Sequence, residues 1–593
     1  MKAGGIAFGH SCRMGPSRRF FLTGLVSTAA AAAFGQGMAS RKAQVQPRGK
    51  PSGLPFNAHF IDVAAEAGLR APTVYGPVDH KEYIVETIGC GCAFLDYDND
   101  GWLDIFLLCG TRFAGAPEGT TNRLFRNNRD GTFSDVTEKA GLAKTGWACG
   151  VCVGDYNNDG FEDLFVTYWG HNVLYRNNGD GTFSDVTKAA GLEQPASRWG
   201  SGCTFLDFNR DGHLDLFVAN YLQFDLRNAP EPGQTANCRW MDTPVTCGPR
   251  GFPYGHHLLY RNNGDGTFTD VSAASGIAAA KESYGLSAIA ADFDDDGWPD
   301  VYLACDSTPS LLFMNNHDGT FREEAALRGV AYSDDGQEQA GMGIAVGDYD
   351  LDGRLDIFKT NFEGDTHDLY RNLGKGQFQE VSRQAGLAVE NRYVCWGTGI
   401  VDLDNNGQPD IFIAAGHTFP EIEKRYPGFP TKDPRLLFRN LGQGRFEELL
   451  SEAGPALAEP HNSRGCAFGD FDNDGDLDIL IVNLNEGPSL LRNDMTGKSS
   501  WLKVKLIGTK SNRSAIGARV VVKSGELSQT QELQSQSSFL SCNDFRLHFG
   551  LGQEKRAEVK VRWPSGEWEG IPAVDANQLI TIKEGAGVVA KGG

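Results

Sequence analysis

Hydrophobic positions along this chain fall in short runs separated by turns rich in Asp, Asn and Gly; Cys92-Ala-Phe-Leu precedes one such turn and Ile105-Phe-Leu-Leu follows it. Short apolar runs bounded by turn formers predict strands. The turn itself, Asp96-Tyr-Asp-Asn-Asp-Gly-Trp-Leu-Asp104, recurs in segments starting at Asp155, Asp207, Asp292, Asp348, Asp402 and Asp470. A second hairpin follows, with Leu124-Phe-Arg-Asn-Asn leading into Asp130-Gly131-Thr132-Phe133, and the pattern returns at Leu174, Leu259, Leu312, Leu369 and Leu437. An Asp-Gly pair supplies the positive φ of a tight turn, so Asp130-Gly131 and its copies are expected to be hairpin turns and not further metal sites.

Two hairpins per repeat make a four-stranded blade, and seven repeats arranged radially predict an all-β fold, a seven-bladed β-propeller over residues 57–497. The seventh repeat ends at Leu490-Leu-Arg-Asn493 without a Phe-x-Asp-Val strand, while an unpaired copy, Phe60-Ile-Asp-Val63, stands before the first loop. The N-terminal strand is therefore expected to complete the last blade and remove an open edge.

Within each nine-residue loop, positions 1, 3, 5 and 9 carry oxygen donors. They are Asp96, Asp98, Asp100 and Asp104 in loop 1; Asp155, Asn157, Asp159 and Asp163 in loop 2; and Asp207, Asn209, Asp211 and Asp215 in loop 3. Loop 4 has Asp292, Asp294, Asp296 and Asp300, and loop 5 has Asp348, Asp350, Asp352 and Asp356. Loop 6 has Asp402, Asp404, Asn406 and Asp410, and loop 7 has Asp470, Asp472, Asp474 and Asp478. Hard oxygen donors wrapped round a sharp Gly turn suit Ca²⁺, with up to seven ions expected. The twelfth positions are Leu107, Val166, Val218, Leu303, Lys359, Ile413 and Ile481, which excludes an EF-hand, where Glu stands. A plain turn asks nothing of position 9, so the Asp found there in every copy also points to metal. Asn157, Asn209 and Asn406 lower the ligand charge of loops 2, 3 and 6.

Composition adds a compartment. Residues 1–40 hold Ser17-Arg18-Arg19-Phe20-Phe21-Leu22 ahead of an apolar, small-residue stretch, which resembles a twin-arginine export signal and predicts a periplasmic or secreted protein. Residues 41–56 form a linker, and no other stretch approaches a membrane span. The net charge of −21 becomes −25 when Lys2, Arg13, Arg18 and Arg19 leave with the signal, and seven divalent ions would bring it to −11. Such acidity, with no basic patch, excludes a broad nucleic-acid footprint. Cys90, Cys92, Cys149, Cys152, Cys203 and Cys466 precede the Asp loops as small buried hydrophobes. Cys238 and Cys247 bracket a short loop inside an insertion and are expected to form a disulfide.

The loop repeats resemble the FG-GAP/VCBS class of integrin α-subunit propellers. That resemblance implies calcium on one face and ligands at the other face or rim, and it implies no catalysis. Residues 498–586 alternate as strands, and Ile516-Gly517-Ala518-Arg519, Leu547-His-Phe-Gly-Leu-Gly552 and Val561-Arg-Trp-Pro-Ser-Gly566 resemble the ASPIC/UnbV domain. The combination is similar to bacterial cartilage acidic protein-like proteins.

Function is expected on the face opposite the Asp loops, where two long insertions lie. One spans about Gln223–Gly255, with Cys238, Trp240 and Cys247; the other spans about Gly416–Pro434, with His417, Glu421 and Tyr426. His256-His257 and the His417/Glu421 pair lack a complete ligand set for a transition metal, and no Gly-x-Ser-x-Gly elbow is present. Two functions stand: a protein- or glycan-binding adhesion module, or an extracytoplasmic enzyme, for example one acting on polysaccharide, with its site at the channel. No catalytic residue is assigned.

Overall fold

The computed structural model describes residues 43–592; the export-signal segment, 1–40, lies outside the described residues. Among the described residues the architecture is all-β apart from short helices, the longest being Pro420–Arg425. Among the described residues no helix is long and apolar enough to cross a membrane.

Among the described residues the propeller strands form seven antiparallel four-stranded blades, those of blades 2 and 3 joined into a single sheet. In blade 1, Cys92–Leu95, Asp104–Leu107, Arg123–Asn127 and Phe133–Asp135 lie side by side, and each later repeat copies that order. The first strands of successive blades touch in sequence and the last returns to the first, so the ring is closed. Phe60–Asp62 pairs with Ser489–Asn493, Phe60 opposite Asn493, and supplies the outer strand of blade 7 as expected.

A seven-fold polar clasp locks neighbouring blades. The first Asn of each Arg-Asn or Met-Asn pair ends the third strand, and its Nδ2 donates to the position-2 carbonyl of the preceding blade's loop. These bonds run from Asn177 to Tyr97 (2.8 Å), from Asn262 to Tyr156 (2.8 Å) and onward to Asn493 and Leu403 (2.8 Å). Asn127 of blade 1 donates to Phe471 of blade 7 at 2.9 Å, closing the cycle.

The inner strands are crowded. From blade 2 onward each carries a bulge, as between Gly341 and Ile344. A Cβ on Gly343 would lie 2.0 Å from the Trp396 carbonyl of the next blade, so only glycine fits there.

The C-terminal region is a two-sheet sandwich with its own core, including Val520, Val561, Phe549 and Ile580. Its last strand, Gly587–Gly592, pairs with Gln578–Lys583, so the sheet continues past the expected end at 586. Sequence alternation reads it as a separate small domain, but it is docked on the Asp-loop face. Residues 533–546 leave it and fill the propeller channel. Ser538 and Ile344 exchange backbone hydrogen bonds (2.7 and 2.9 Å), Cys542 pairs with Cys92 (2.9 Å), and Val151 donates to Leu540 (3.1 Å). Phe539 is fully buried, edge-on to Trp396 with ring centroids 4.9 Å apart.

The linker is also fixed in place. Arg48 pairs with Glu390 and Glu448 of blades 5 and 6 at 3.0 and 2.5 Å, and Ser52 is held by Glu447.

Candidate metal centres

All seven Asp loops adopt one conformation. The position-4 residue has positive φ in every loop, from 55° at Asn99 to 62° at Asp295, and the Gly at position 6 does too. Asn and Asp tolerate this left-handed geometry, whereas Arg210 and Leu351 occupy it at a cost. The position-1 carboxylate accepts the N–H groups of positions 5 and 6; in loop 1, Asp96 takes Asp100 at 2.8 Å and Gly101 at 3.1 Å. Position 5 spends one oxygen on the N–H of position 7, as Asp100 does with Trp102 at 3.0 Å.

Position 9 has a second role that sequence spacing did not show. In loop 1, Asp104 Oδ1 accepts the N–H of Asn127 at 2.8 Å and Oδ2 accepts that of Tyr97 at 3.3 Å. The first of these bonds recurs in every blade through Asn177, Asn262, Asn315, Asn372, Asn440 and Asn493. The expectation that a turn needs nothing at position 9 is therefore corrected: this Asp staples the loop to the third strand. The clasp asparagines were missed as structural residues, although their seven-fold recurrence was the available signal.

Five loops gather three carboxylates whose oxygens lie within 4.8 Å of one another. They are Asp96/Asp98/Asp104, Asp292/Asp294/Asp300, Asp348/Asp350/Asp356, Asp402/Asp404/Asp410 and Asp470/Asp472/Asp478. In each of these loops one position-3 oxygen, Oδ1 of Asp98, Asp294, Asp350, Asp404 or Asp472, is buried without a hydrogen-bond partner. A buried anionic oxygen with no donor is costly, and its recurrence fits a cation held between positions 1, 3 and 9. Position 5, expected as a ligand, lies outside these tight clusters.

Loops 2 and 3 differ. Asn157 Nδ2 donates to Asp159 at 2.9 Å and Asn209 Nδ2 to Asp211 at 2.8 Å, so the amide closes the loop internally. No three-carboxylate cluster forms there among the described residues.

Burial sets the electrostatics. It pushes Asp104 up to about 9, with the neighbouring carboxylates adding to the rise, and raises Asp402 to about 8 and Asp348 to about 7. Asp155 and Asp207 rise to about 6 and about 7 for the same reason. Basic side chains of the C-terminal sandwich also reach the loops. Lys503 binds Asp470, Arg562 binds Asp292, and Lys505 lies 3.6 Å from Asp96.

On the opposite face, Cys238 and Cys247 form the expected disulfide. His417 and Glu421 are not paired: His417 Nε2 contacts buried Glu363 at 2.7 Å, while Glu421 accepts the N–H of Lys81 at 2.6 Å. Glu363 also accepts the Trp240 indole N–H at 2.6 Å and so ties the two insertions together. His257 is buried between Asn220 and Ser283, and burial lowers it to about 4, whereas His256 is exposed. The Asp130-Gly131 segment and its copies are hairpin turns, with Asp130 accepting the Thr132 N–H at 3.0 Å.

Two family models agree with the repeat pattern and the C-terminal domain. The FG-GAP-like repeat model matches residues 96–166, 155–218, 251–303, 292–358 and 432–481, and the ASPIC and UnbV model matches 508–589. Cartilage acidic protein 1 of Homo sapiens is 28% identical over 53% of this chain and 46% of that protein. The Mus musculus protein is 25% identical over 65% and 54% respectively, so the chain spans about half the length of the curated relatives it matches. Among solved structures, a Trypanosoma rangeli sialidase shares 12% identity over 74% of this chain and 60% of that one, with a TM-score of 0.33. The chain belongs to the FG-GAP-repeat proteins that end in an ASPIC and UnbV domain.

Proposed function

We propose that this chain is an exported, calcium-binding β-propeller that acts as a binding or adhesion module for a protein or glycan outside the cytoplasm. The observation that carries the proposal is the division of labour between its two faces. The Asp-loop face is covered by the C-terminal sandwich, which also fills the channel, so the insertion face is the one left to meet a partner. That face carries interlocked aromatic side chains, with Phe113 and Trp169 at a centroid distance of 5.8 Å and Trp169 and Phe224 at 5.4 Å. Aromatic residues with one face open suit recognition of protein or sugar surfaces.

Calcium is the cation that clustered carboxylates in a Gly-bearing loop suit, and loops 1, 4, 5, 6 and 7 are its expected sites. Bound ions would neutralise carboxylates that otherwise repel one another. The ions stiffen the face that carries the sandwich and leave the other face for recognition.

One observation favours an enzyme instead. Lys81, buried on the insertion face, is lowered to about 7 by its burial and lies among Glu86, Glu421 and Arg464. Its Nζ, however, donates to the carbonyls of Tyr75 and Pro77 at 2.9 and 2.7 Å, a structural use.

The test is binding of the full-length mature protein to glycan and secreted-protein panels, with metal analysis. A calcium-dependent ligand supports the binding reading; turnover of a polysaccharide that is lost in Lys81→Met would replace it with the enzyme.

A further inference from the structure

Blades 2 and 3 are fused at the insertion face. The end of the second strand of blade 2 pairs with the start of blade 3, Gly170 opposite Arg198 and Trp169 opposite Trp199. Above this seam the 223–255 insertion folds back and leaves a groove of about 1190 Å³. That is large enough for an extended ligand several rings long.

Three features of the groove point to one class of occupant. Trp169, Phe224 and Phe252, all half-buried, line it as a connected row with centroid separations of 5.4 and 6.0 Å. Sugar rings present apolar C–H faces that lie on such aromatic rings. Asn220 also lines the groove, is 2% exposed, and has its Oδ1 buried with no donor, an acceptor that a ligand hydroxyl would satisfy by donating to it. The third feature is charge. Arg227 and Arg250 are neutralised by Asp225 (2.7 Å) and Glu338 (2.9 Å), but the half-buried Arg198 guanidinium has no hydrogen bond or ion pair among the described residues. In a chain of net charge −21, an unpaired guanidinium among the residues that line the same groove selects a carboxylate, which it grips in bidentate fashion.

We propose that this groove binds an oligosaccharide carrying uronate carboxylates, with the aromatic row as stacking platform and Arg198 as the acid-recognising residue; the proposal rests on the binding-module reading above.

The experiment titrates the full-length mature protein with tetragalacturonate and with maltotetraose by calorimetry. Tetragalacturonate should bind and maltotetraose should bind at least tenfold more weakly. Arg198→Gln should abolish that preference at an unchanged melting temperature, since its side chain makes no internal bond. Trp169→Ala should weaken both sugars. Should that variant fold poorly, Phe224→Ala, in the middle of the same row, should still weaken both sugars. Equal affinity for the two sugars overturns the role of Arg198. Tetragalacturonate binding that neither Arg198→Gln nor Phe224→Ala alters overturns the location. If tetragalacturonate fails to bind but a secreted protein binds the chain, the groove proposal falls and the binding-module reading stands. If neither panel yields a ligand, that reading falls too.

Discussion

At the scale of single residues, the repeats carry positions that hold the fold and positions that would hold an ion, and the Asp at position 9 belongs to both. The clasp asparagines belong to the first group. Asn372 donates to the carbonyls of Phe293 and Leu355 at 2.8 and 3.0 Å, and its N–H meets Asp356 at 2.7 Å. Asn372→Ala keeps the backbone bond but orphans two buried carbonyls, which should cost about 1–3 kcal/mol and lower the melting temperature. An unchanged melting temperature would show that the clasp is dispensable. Leu351 gives a change of opposite sign. It sits at φ 59°, where most of its counterparts are Asn or Asp, so Leu351→Asn should stabilise the protein by up to about 1 kcal/mol, read by denaturant titration. Position 3 belongs to the second group: Asp294→Asn should remove one bound calcium per chain, measured by metal analysis, whereas Asn157→Ala should remove none. Spacing alone pointed to the carboxylates that cluster in five loops, but not to an Asn amide at position 3 closing its own loop, because that depends on where the side chain turns.

At the scale of elements, the parts with a repeated signature were legible and the part without one was not. The Phe60–Asp62 strand could be placed in blade 7 because six repeats contain its copy and the seventh lacks one. The disulfide could be placed because its cysteines bracket a short loop. Residues 534–543, Gln-Ser-Gln-Ser-Ser-Phe-Leu-Ser-Cys-Asn, fall within the stretch that sequence alternation assigns to the small C-terminal domain, yet they fill the channel. Their polarity is what the channel needs, because the inner strands present unpaired backbone groups there and the plug supplies matching donors and acceptors. Gln536 accepts the Cys203 N–H at 3.0 Å and donates to the Val151 carbonyl at 3.0 Å. Hydropathy cannot distinguish such a segment from a surface loop. Phe539 is its apolar anchor, and Phe539→Ala should cost about 3–5 kcal/mol, loosening both the sandwich and the ring. Limited proteolysis provides the check: new cleavage within 533–546 is expected, and an unchanged digestion pattern would mean the plug does not rely on this ring.

At the scale of the whole molecule, a closed ring concentrates its acidic loops on one face and seats a domain on top of them, so protons and a bound metal would compete for the same carboxylates. Burial raises the folded-state values: Asp155 to about 6, Asp348 to about 7, Asp402 to about 8 and Asp104 to about 9, against 3.8 for an unperturbed Asp. A raised value means that the folded state holds its proton more tightly than the unfolded chain does. The resulting stabilisation is complete below about 4 and is lost as pH rises through the folded values toward about 9. Metal-free protein should therefore become less stable from pH 5 to pH 9. Calcium binds only the ionised carboxylates, so its stabilisation grows over the same range and should cancel or reverse the fall. Melting temperatures measured across that range in EDTA and in excess calcium should diverge steadily with rising pH. The sandwich sets how far they diverge, because Lys503 and Arg562 already supply positive charge at Asp470 and Asp292. Loops 4 and 7 should then contribute less to the divergence than loop 5, whose Asp348 has no ion pair with the sandwich among the described residues and whose nearby cation, the half-exposed Arg371, pairs with Asp350 and Asp352 instead. Asp350→Asn should narrow the gap between the two curves more than Asp472→Asn does, and parallel curves for the unaltered protein would refute calcium as the partner of these carboxylates.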